Sequence, residues 1–248
     1  SVLLFLCYAV QNGCLEMAEG KVGELPPGDV PLFFAAVKES CLTLSLLAEA
    51  PGGVDEEGHN TRALVAAKLK STSAITEVVE LLNFPQFDSD PLYAHKMECV
   101  GAAVSLIAAI APRPTYELLP DSEVEFAETD TESTTACVPQ LDELVALAGK
   151  GLIEVMSGCP IPRIVSLACL ALSRLAATPQ TCLKLVQLRA PFVLSSLVPH
   201  RPSQAVKNSD PNKYEESVRK DMQQLNRLSS KLFRLAGSLT RVTAGQTA

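Results

Sequence analysis

Residues 164–198, IVSLACLALSRLAATPQTCLKLVQLRAPFVLSSLV, decide the fold. Apolar residues recur in this stretch every three or four positions, which is the spacing of helices with one buried face. Thr178 and Pro179 interrupt the pattern, and such a pair is typical of an N-cap followed by the first residue of a helix. The stretch therefore predicts a helix over 162–177, a short helix over 179–188 and another over 190–198.

The helical spacing extends outward over most of the chain. It predicts helices over 31–50, over 61–69 with Asn60 or Thr61 as the cap, over 71–83, over 91–111, over 139–157 and over 213–240. In the segment 71–83, Ser71 or Thr72 is the expected N-cap. The expected buried stripe of that helix consists of Ile75, Val78, Val79 and Leu82. The segment 91–111 is apolar on nearly all sides, which is typical of a helix buried between neighbours, and Pro112 is expected to stop it. No segment has the alternation of a strand.

The composition indicates an all-α protein, and we expect residues 1–248 to form one domain. Of the 248 residues, 47% are hydrophobic, 5% are aromatic and none is Trp. This composition excludes a disordered chain and suits the packing of helices on helices. The opening run SVLLFLCYAV is too short to span a bilayer and lacks the basic start of a signal peptide. We expect it to begin inside or just before a helix, in a domain excised from a longer protein.

Residues that could hold metals or perform chemistry are scattered. The eight cysteines form no CxxC pair and are too sparse for a disulfide framework, so we expect buried thiols in a reducing, cytoplasmic compartment. The three histidines lack the spacing of a metal site. Phosphate-loop, dinucleotide, zinc-protease and serine-hydrolase motifs are missing. The sequence thus predicts no catalytic residue, no metal and no cofactor, in a protein that is not an enzyme.

Charge is divided unevenly along the chain. Residues 1–149 hold 7 basic and 23 acidic residues (net −16), whereas residues 150–248 hold 14 basic and 5 acidic residues (net +9). We predict a mobile acidic loop over 117–136 and a linker over 200–212, which leads to the terminal helix with its basic face. The split favours an electrostatic ligand or attraction between the two ends of one elongated molecule; the alternative is two differently solvated faces. Because few aromatic residues accompany the bases, the pattern argues against nucleic acid as the partner. The basic face of the terminal helix is compatible with an anionic membrane surface, but we do not expect a membrane to be the partner.

Short motifs recur along the chain at a nearly fixed interval. LSLLAEAP at 44–51 resembles LSRLAATP at 172–179, and IAAIA at 107–111 and LFRLAG at 232–237 share the same small-residue helix ending. Anchored on Leu47, Ile110, Leu175 and Leu235, these motifs are 63, 65 and 60 residues apart. Such a period predicts stacked repeats, in which each unit covers the apolar face of its neighbour.

The stretch 164–198 resembles a junction between two armadillo repeats: a long third helix, a turn with proline, a short first helix and a second helix. The residues that carry the resemblance are Ala168, Leu170, Ala171, Leu172, Leu175, Ala176, Thr178, Pro179, Leu185, Val186, Leu194 and Leu197. The resemblance implies a right-handed α-solenoid of three to four divergent repeats, with the acidic loop as an insertion. Arg189 stands where the family usually has Gly. Because Arg would be strained in a left-handed conformation, we expect that turn to be built differently.

The resemblance also implies a concave groove lined by the third helices. Peptide-binding members carry an Asn there, and the matching positions here are Leu46, Ala109, Arg174 and Arg234. The two arginines predict a basic patch for the acidic residues of a partner. The residues expected to border it are Lys184, Arg189, Arg227 and Lys231. The alternative is that these bases are peripheral or pair with the chain's own acidic loop. On the first hypothesis, replacing Arg174 and Arg234 with Glu abolishes binding and leaves the fold intact.

The function predicted from these features is a non-catalytic adaptor or scaffold that binds an extended or helical segment of another protein. Two alternatives stay open. One is a co-chaperone, because armadillo-like domains also serve as Hsp70 exchange factors and myosin chaperones. The other is a self-assembling structural component, in which solenoid ends or oppositely charged halves of two copies meet.

Overall fold

A computed structural model describes residues 2–50, 61–83, 92–112 and 138–196 of the chain. Within these ranges every regular element is a helix and no strand occurs, which confirms the all-α prediction. The α-helices are α1 (Val2–Ala18), α2 (Val30–Glu49), α3 (Thr61–Ser71), α4 (Ala74–Glu80), α5 (Tyr93–Ile110), α6 (Val138–Gly158), α7 (Pro162–Leu175), α8 (Pro179–Gln187) and α9 (Ala190–Ser196). Single 3₁₀ turns lie at Lys21–Glu24 and Leu81–Asn83. The predicted acidic loop, linker and terminal helix lie outside the described residues.

The sequence signals at the start of α8 are confirmed in atomic detail. The backbone N–H of Thr181 donates to the hydroxyl of Thr178 over 3.2 Å, and the N–H of Thr178 donates to the Thr181 hydroxyl over 3.1 Å. This reciprocal capping box satisfies two backbone donors, and Pro179 follows at the first helical position, where its missing N–H costs nothing.

The cap predicted for the helix over 71–83 is wrong. That helix, α4, begins later, at Ala74. The hydroxyls of Ser71 and Thr72 instead donate backward to the carbonyl of Lys68, over 3.0 and 2.9 Å, and so complete the end of α3. A Ser or Thr hydroxyl between two helices can bond to either helix, and here both hydroxyls bond to a carbonyl at the end of α3. The predicted apolar stripe of α4 and the following turn is buried as expected.

Three long helices, α2, α5 and α7, pack side by side, with α5 in the middle. They run in the same direction. Near their amino ends, the Lys38 ammonium of α2 lies 3.1 Å from the Glu98 carboxylate of α5, a contact across 60 residues. Near their carboxyl ends, Arg174 of α7 bonds to the carbonyl of Ala108 in α5 across 66 residues. The repeat interval read from the sequence is therefore close to the interval between residues that touch in this row of helices.

A second row packs behind the first. The helix α4 lies between α1 and α6, while α1 contacts α2 and α6 contacts α7. Because α5 has neighbours on nearly all sides, Val104, Leu106 and Ile107 are completely buried, as its sequence predicted. Close approach is possible where Gly151 of α6 meets the 3₁₀ turn after α4: a methyl group there would lie 2.8 Å from the Cβ of Leu82.

Two turns between short helices share an unusual backbone conformation. Ser73, between α3 and α4, has φ 58°, and Arg189, between α8 and α9, has φ 64°. These are the only positive values among the described residues other than glycine. The expectation that the turn at Arg189 would avoid the left-handed conformation is therefore wrong. Packing of α8 and α9 on α6 holds the turn there, against an intrinsic cost of about 1–2 kcal/mol for a residue with a Cβ.

Candidate functional site

Arg174, the described arginine of the predicted basic patch, lies inside the chain rather than on an open surface. Only 5% of the residue is exposed. Its Nη1 donates to the carbonyl of Ala108 over 2.5 Å and to Oε1 of Glu49 over 3.0 Å. Since Glu49 and Ala108 stand near the carboxyl ends of α2 and α5, one guanidinium joins the ends of three helices.

The sequence of α5 explains why a buried cation is needed at this point. A carbonyl in a helix accepts from the N–H four residues later, and for Ala108 that residue is Pro112, which has no N–H. The Arg174 guanidinium supplies the missing donor. Its positive charge also lies at the negative end of the α5 dipole, where cations are stabilised. These contacts assign Arg174 a structural role, and replacing it with Glu would disturb the fold.

The other predicted partner-binding residues are dispersed or undescribed. Lys184 of α8 lies 3.4 Å from the Asp142 carboxylate of α6, with 36% of its side chain exposed. Arg189 is exposed at the left-handed turn. Arg227, Lys231 and Arg234 lie outside the described residues. The described bases of the predicted patch therefore do not share one surface: Arg174 is buried, Lys184 is paired with Asp142 and Arg189 is exposed at a turn. Their part in binding stays a prediction.

A concave groove lies between α3 and α6 on the described surface. It has a volume of about 180 Å³. The α3 wall consists of Arg62, Ala63, Ala66, Ala67 and Lys70, and the α6 wall of Leu141, Glu143, Leu144 and Leu147. Ile75 of α4 and Ile110 and Pro112 at the end of α5 complete it. At the rim, the ammonium of Lys70 lies 2.5 Å from the carboxylate of Glu143, which ties the two walls together.

The chemistry of this groove, which from here on we call the α3–α6 groove, suits an apolar side chain with charges nearby. Alanines on one wall leave room that the leucines of the other wall do not fill. The sequence alone does not reveal this groove, because its walls are far apart in the chain: Lys70 and Glu143 are 73 residues apart. One signal was present, since TRALVAAKLKS, the sequence of α3, contains three bases, no acid and three alanines.

The described cysteines are free thiols, and all but Cys159 are buried, as predicted. Burial raises the pKa of Cys99 to about 12 and that of Cys182 to about 11. The Cys182 thiol also donates to the carbonyl of Ala176 over 3.3 Å. Because the thiolate is the nucleophilic form, these two side chains are poor nucleophiles at neutral pH.

In the described part of the chain, no group of three or more His, Cys, Asp or Glu side chains is arranged to hold a metal ion. Among the described helices one, α2, is long and apolar enough to cross a membrane by length and composition. Core helices of water-soluble proteins and signal sequences near an N-terminus meet the same criterion, and 28% of the apolar window of α2 is buried within the described structure.

Comparisons with known proteins add no relative. The chain matches no protein-family model, and neither curated proteins nor solved structures give a significant match.

Proposed function

We propose that the chain is a protein-interaction module, a non-catalytic adaptor or scaffold, built as an armadillo-like right-handed α-solenoid. The observation that carries the proposal is the row of α2, α5 and α7, whose contacts join residues 60 to 66 positions apart. In an armadillo-like stack these would be the third helices of successive units. Stacks of this kind present extended surfaces to partners.

The two left-handed turns support the same architecture. Ser73 follows the helix that comes after α2, and Arg189 follows the helix that comes after α7. Each turn therefore occupies the same place in the order long helix, short helix, turn, short helix. The family resemblance implies a Gly at this place, which is the residue that takes positive φ most easily.

We place the binding surface of this module at the α3–α6 groove. The groove is concave and partly apolar, and apolar side chains exposed in a concave site are a common feature of binding surfaces. Leu147 is 36% exposed on one wall, and Ala63 and Ala67 are exposed on the other.

The test uses the whole chain, immobilised and exposed to cell lysate. Ala67→Glu places a charged side chain in the groove at an exposed helical position, while Ala146→Glu makes the same change at an exposed position of α6 outside the groove lining. We expect the wild type and Ala146→Glu to capture the same partner by mass spectrometry, and Ala67→Glu to lose it. Capture by all three would move the binding surface away from the groove, and failure of all three would contradict the interaction function.

Self-assembly is the second candidate, and the outer face of α1 favours it. Val2, Phe5 and Tyr8, one helical turn apart, are 76%, 72% and 48% exposed. An apolar stripe of this kind is typical of a surface that a second helix covers. Light scattering tests it: a dimer that persists at high salt and dissociates in Phe5→Glu supports apolar self-association, and a monomer at all concentrations contradicts it.

A further inference from the structure

We infer that the α3–α6 groove takes one amphipathic helix of a partner protein, with its apolar face inward and acidic residues along the edge that lies over α3. The inference rests on the proposed interaction function and names the chemistry of the partner at that same site. It is carried by three features of the groove: its shape, the charge of its α3 wall and the kind of ion pair at its rim.

The shape of the groove indicates a helical occupant. Both walls are helices, and a helix laid between two helices inserts side chains spaced three or four residues apart. The volume of about 180 Å³ exceeds that of cavities that accept a benzene-sized group, so one large apolar side chain such as Leu or Phe fits. The small alanines at positions 63, 66 and 67 allow the occupant to approach the backbone of α3 closely.

The charge of the α3 wall indicates where the acids of the partner lie. The helix α3 contains Arg62, Lys68 and Lys70 and no acidic residue. Arg62 and Lys70 both line the groove, on either side of the alanines. They are two helical turns apart, about 12 Å along the axis, so two acids about seven residues apart on a partner helix would face them.

The ion pair at the rim can be exchanged. Lys70 is bonded to Glu143, and their side chains are 60% and 47% exposed. A surface ion pair of this kind contributes little to stability, so a carboxylate of the partner can take the place of Glu143 on Lys70 at small cost. On the opposite wall, Glu143 then becomes available to a base on the other edge of the same partner helix. The selectivity therefore comes from an acidic edge over α3 and a neutral or basic edge over α6.

The experiment uses two synthetic amphipathic peptides with the same leucine face. One carries Glu and the other Lys at the two positions expected to lie over Arg62 and Lys70. Binding of each fluorescent peptide to the full chain is measured by anisotropy at low and physiological salt. The variants are Lys70→Glu and, as a matched control, Lys150→Glu, which reverses an exposed base of α6 that does not line the groove.

We expect the Glu peptide to bind the wild type at least about tenfold more tightly than the Lys peptide, because like charges across an interface are strongly disfavoured. Lys70→Glu should reverse or abolish this preference, Lys150→Glu should leave it unchanged, and added salt should weaken it. Equal binding of both peptides would overturn the inference while leaving the groove as an apolar binding site. Absence of binding by both would overturn it as well. The chain alone is also tested for association with itself as its concentration rises. If Ala67→Glu abolishes such self-association, the occupant of the groove is a second copy, and the inference of an acidic partner helix is overturned.

The two proposals can fail separately. Lysate capture that depends on Ala67 tests the interaction function without any assumption about charge, whereas the peptide pair tests only the charge rule. If Ala67→Glu loses the captured partner but the Glu and Lys peptides bind the chain equally, the interaction function stands and the inference of an acidic partner helix is rejected.

Discussion

Replacing Arg174 with Met tests whether a single buried cation holds the carboxyl ends of three helices together. Met keeps most of the apolar stem of arginine and removes the guanidinium. The bonds that it removes include the one to the carbonyl of Ala108 and the one to the carboxylate of Glu49. The substitution therefore isolates the polar contribution of the side chain from its packing.

The expected loss follows mainly from the carbonyl. Ala108 is 3% exposed and Pro112 provides no N–H, so removal of the guanidinium leaves a buried acceptor unpaired, at a cost of about 1–3 kcal/mol. Loss of a cation at the end of the α5 dipole adds about 0.3–1 kcal/mol. The side chain of Glu49 is 40% exposed and can be hydrated, so its lost ion pair adds little. We expect the free energy of unfolding to fall by about 1–4 kcal/mol.

The assay is urea unfolding followed by far-ultraviolet circular dichroism, with the slope of the transition compared between variants. Glu49→Gln is the control, since an amide still accepts from Arg174 and the Ala108 bond is unaffected; we expect a change below about 1 kcal/mol. Arg174→Glu should destabilise more than Arg174→Met, because it places a carboxylate beside Glu49 and the negative end of α5. If Arg174→Met unfolds at the same urea concentration as the wild type, the reasoning about Ala108 and Pro112 is refuted.

Three further changes test other parts of the fold by the same unfolding measurement. We expect Gly151→Ala to lower the free energy of unfolding by about 1–3 kcal/mol, because its methyl group would lie 2.8 Å from a side-chain carbon of the adjacent 3₁₀ turn. Gly28→Ala is the control: its methyl group meets open space, so we expect a loss below about 0.5 kcal/mol. Equal losses in the two variants would contradict the close packing at Gly151. Arg189→Gly should stabilise the chain by about 0.5–1 kcal/mol, because φ 64° suits glycine, and a loss of stability would contradict strain at that turn. Stability should fall as pH rises above 9.0, because the unfolded Cys182 thiol ionises near this ordinary value while the folded thiol, with a pKa of about 11, keeps its proton. Cys182→Ala should reduce this fall between the two pH values, and an unchanged fall would argue against a raised pKa.

Local features of the sequence predicted local structure well. The Thr178–Pro179 pair fixes the start of α8, because the cap bonds only to residues within the first turn. The near-uniform apolarity of residues 97–110, where Glu98 is the one charged residue, marks the buried middle helix, because no polar stripe is left to face water. The cap at Ser71 or Thr72 failed for a physical reason, since a hydroxyl between two helices can bond to either and the sequence does not decide which.

The environments of the candidate site residues depend on contacts between distant segments, which the sequence does not reveal. Arg174 resembles a groove residue when its own helix is considered alone. Its inward orientation depends on Ala108, 66 residues earlier, whose carbonyl lacks a helical donor because of Pro112. Likewise, the α3–α6 groove exists only because α3 and α6 come together across 73 residues. A prediction of such a site requires the packing of the helices as well as their positions in the sequence.

The internal use of Arg174 also bears on where a partner can bind. A guanidinium that already satisfies a buried carbonyl and a carboxylate has few donors left for an incoming ligand, and withdrawing it would leave the Ala108 carbonyl unpaired. Lys70 of α3 differs in this respect, because its ion pair with Glu143 is exposed and a competing carboxylate can replace it at little cost. The energetics therefore favour the α3–α6 groove over the row of α2, α5 and α7 as the place where the proposed acidic partner binds.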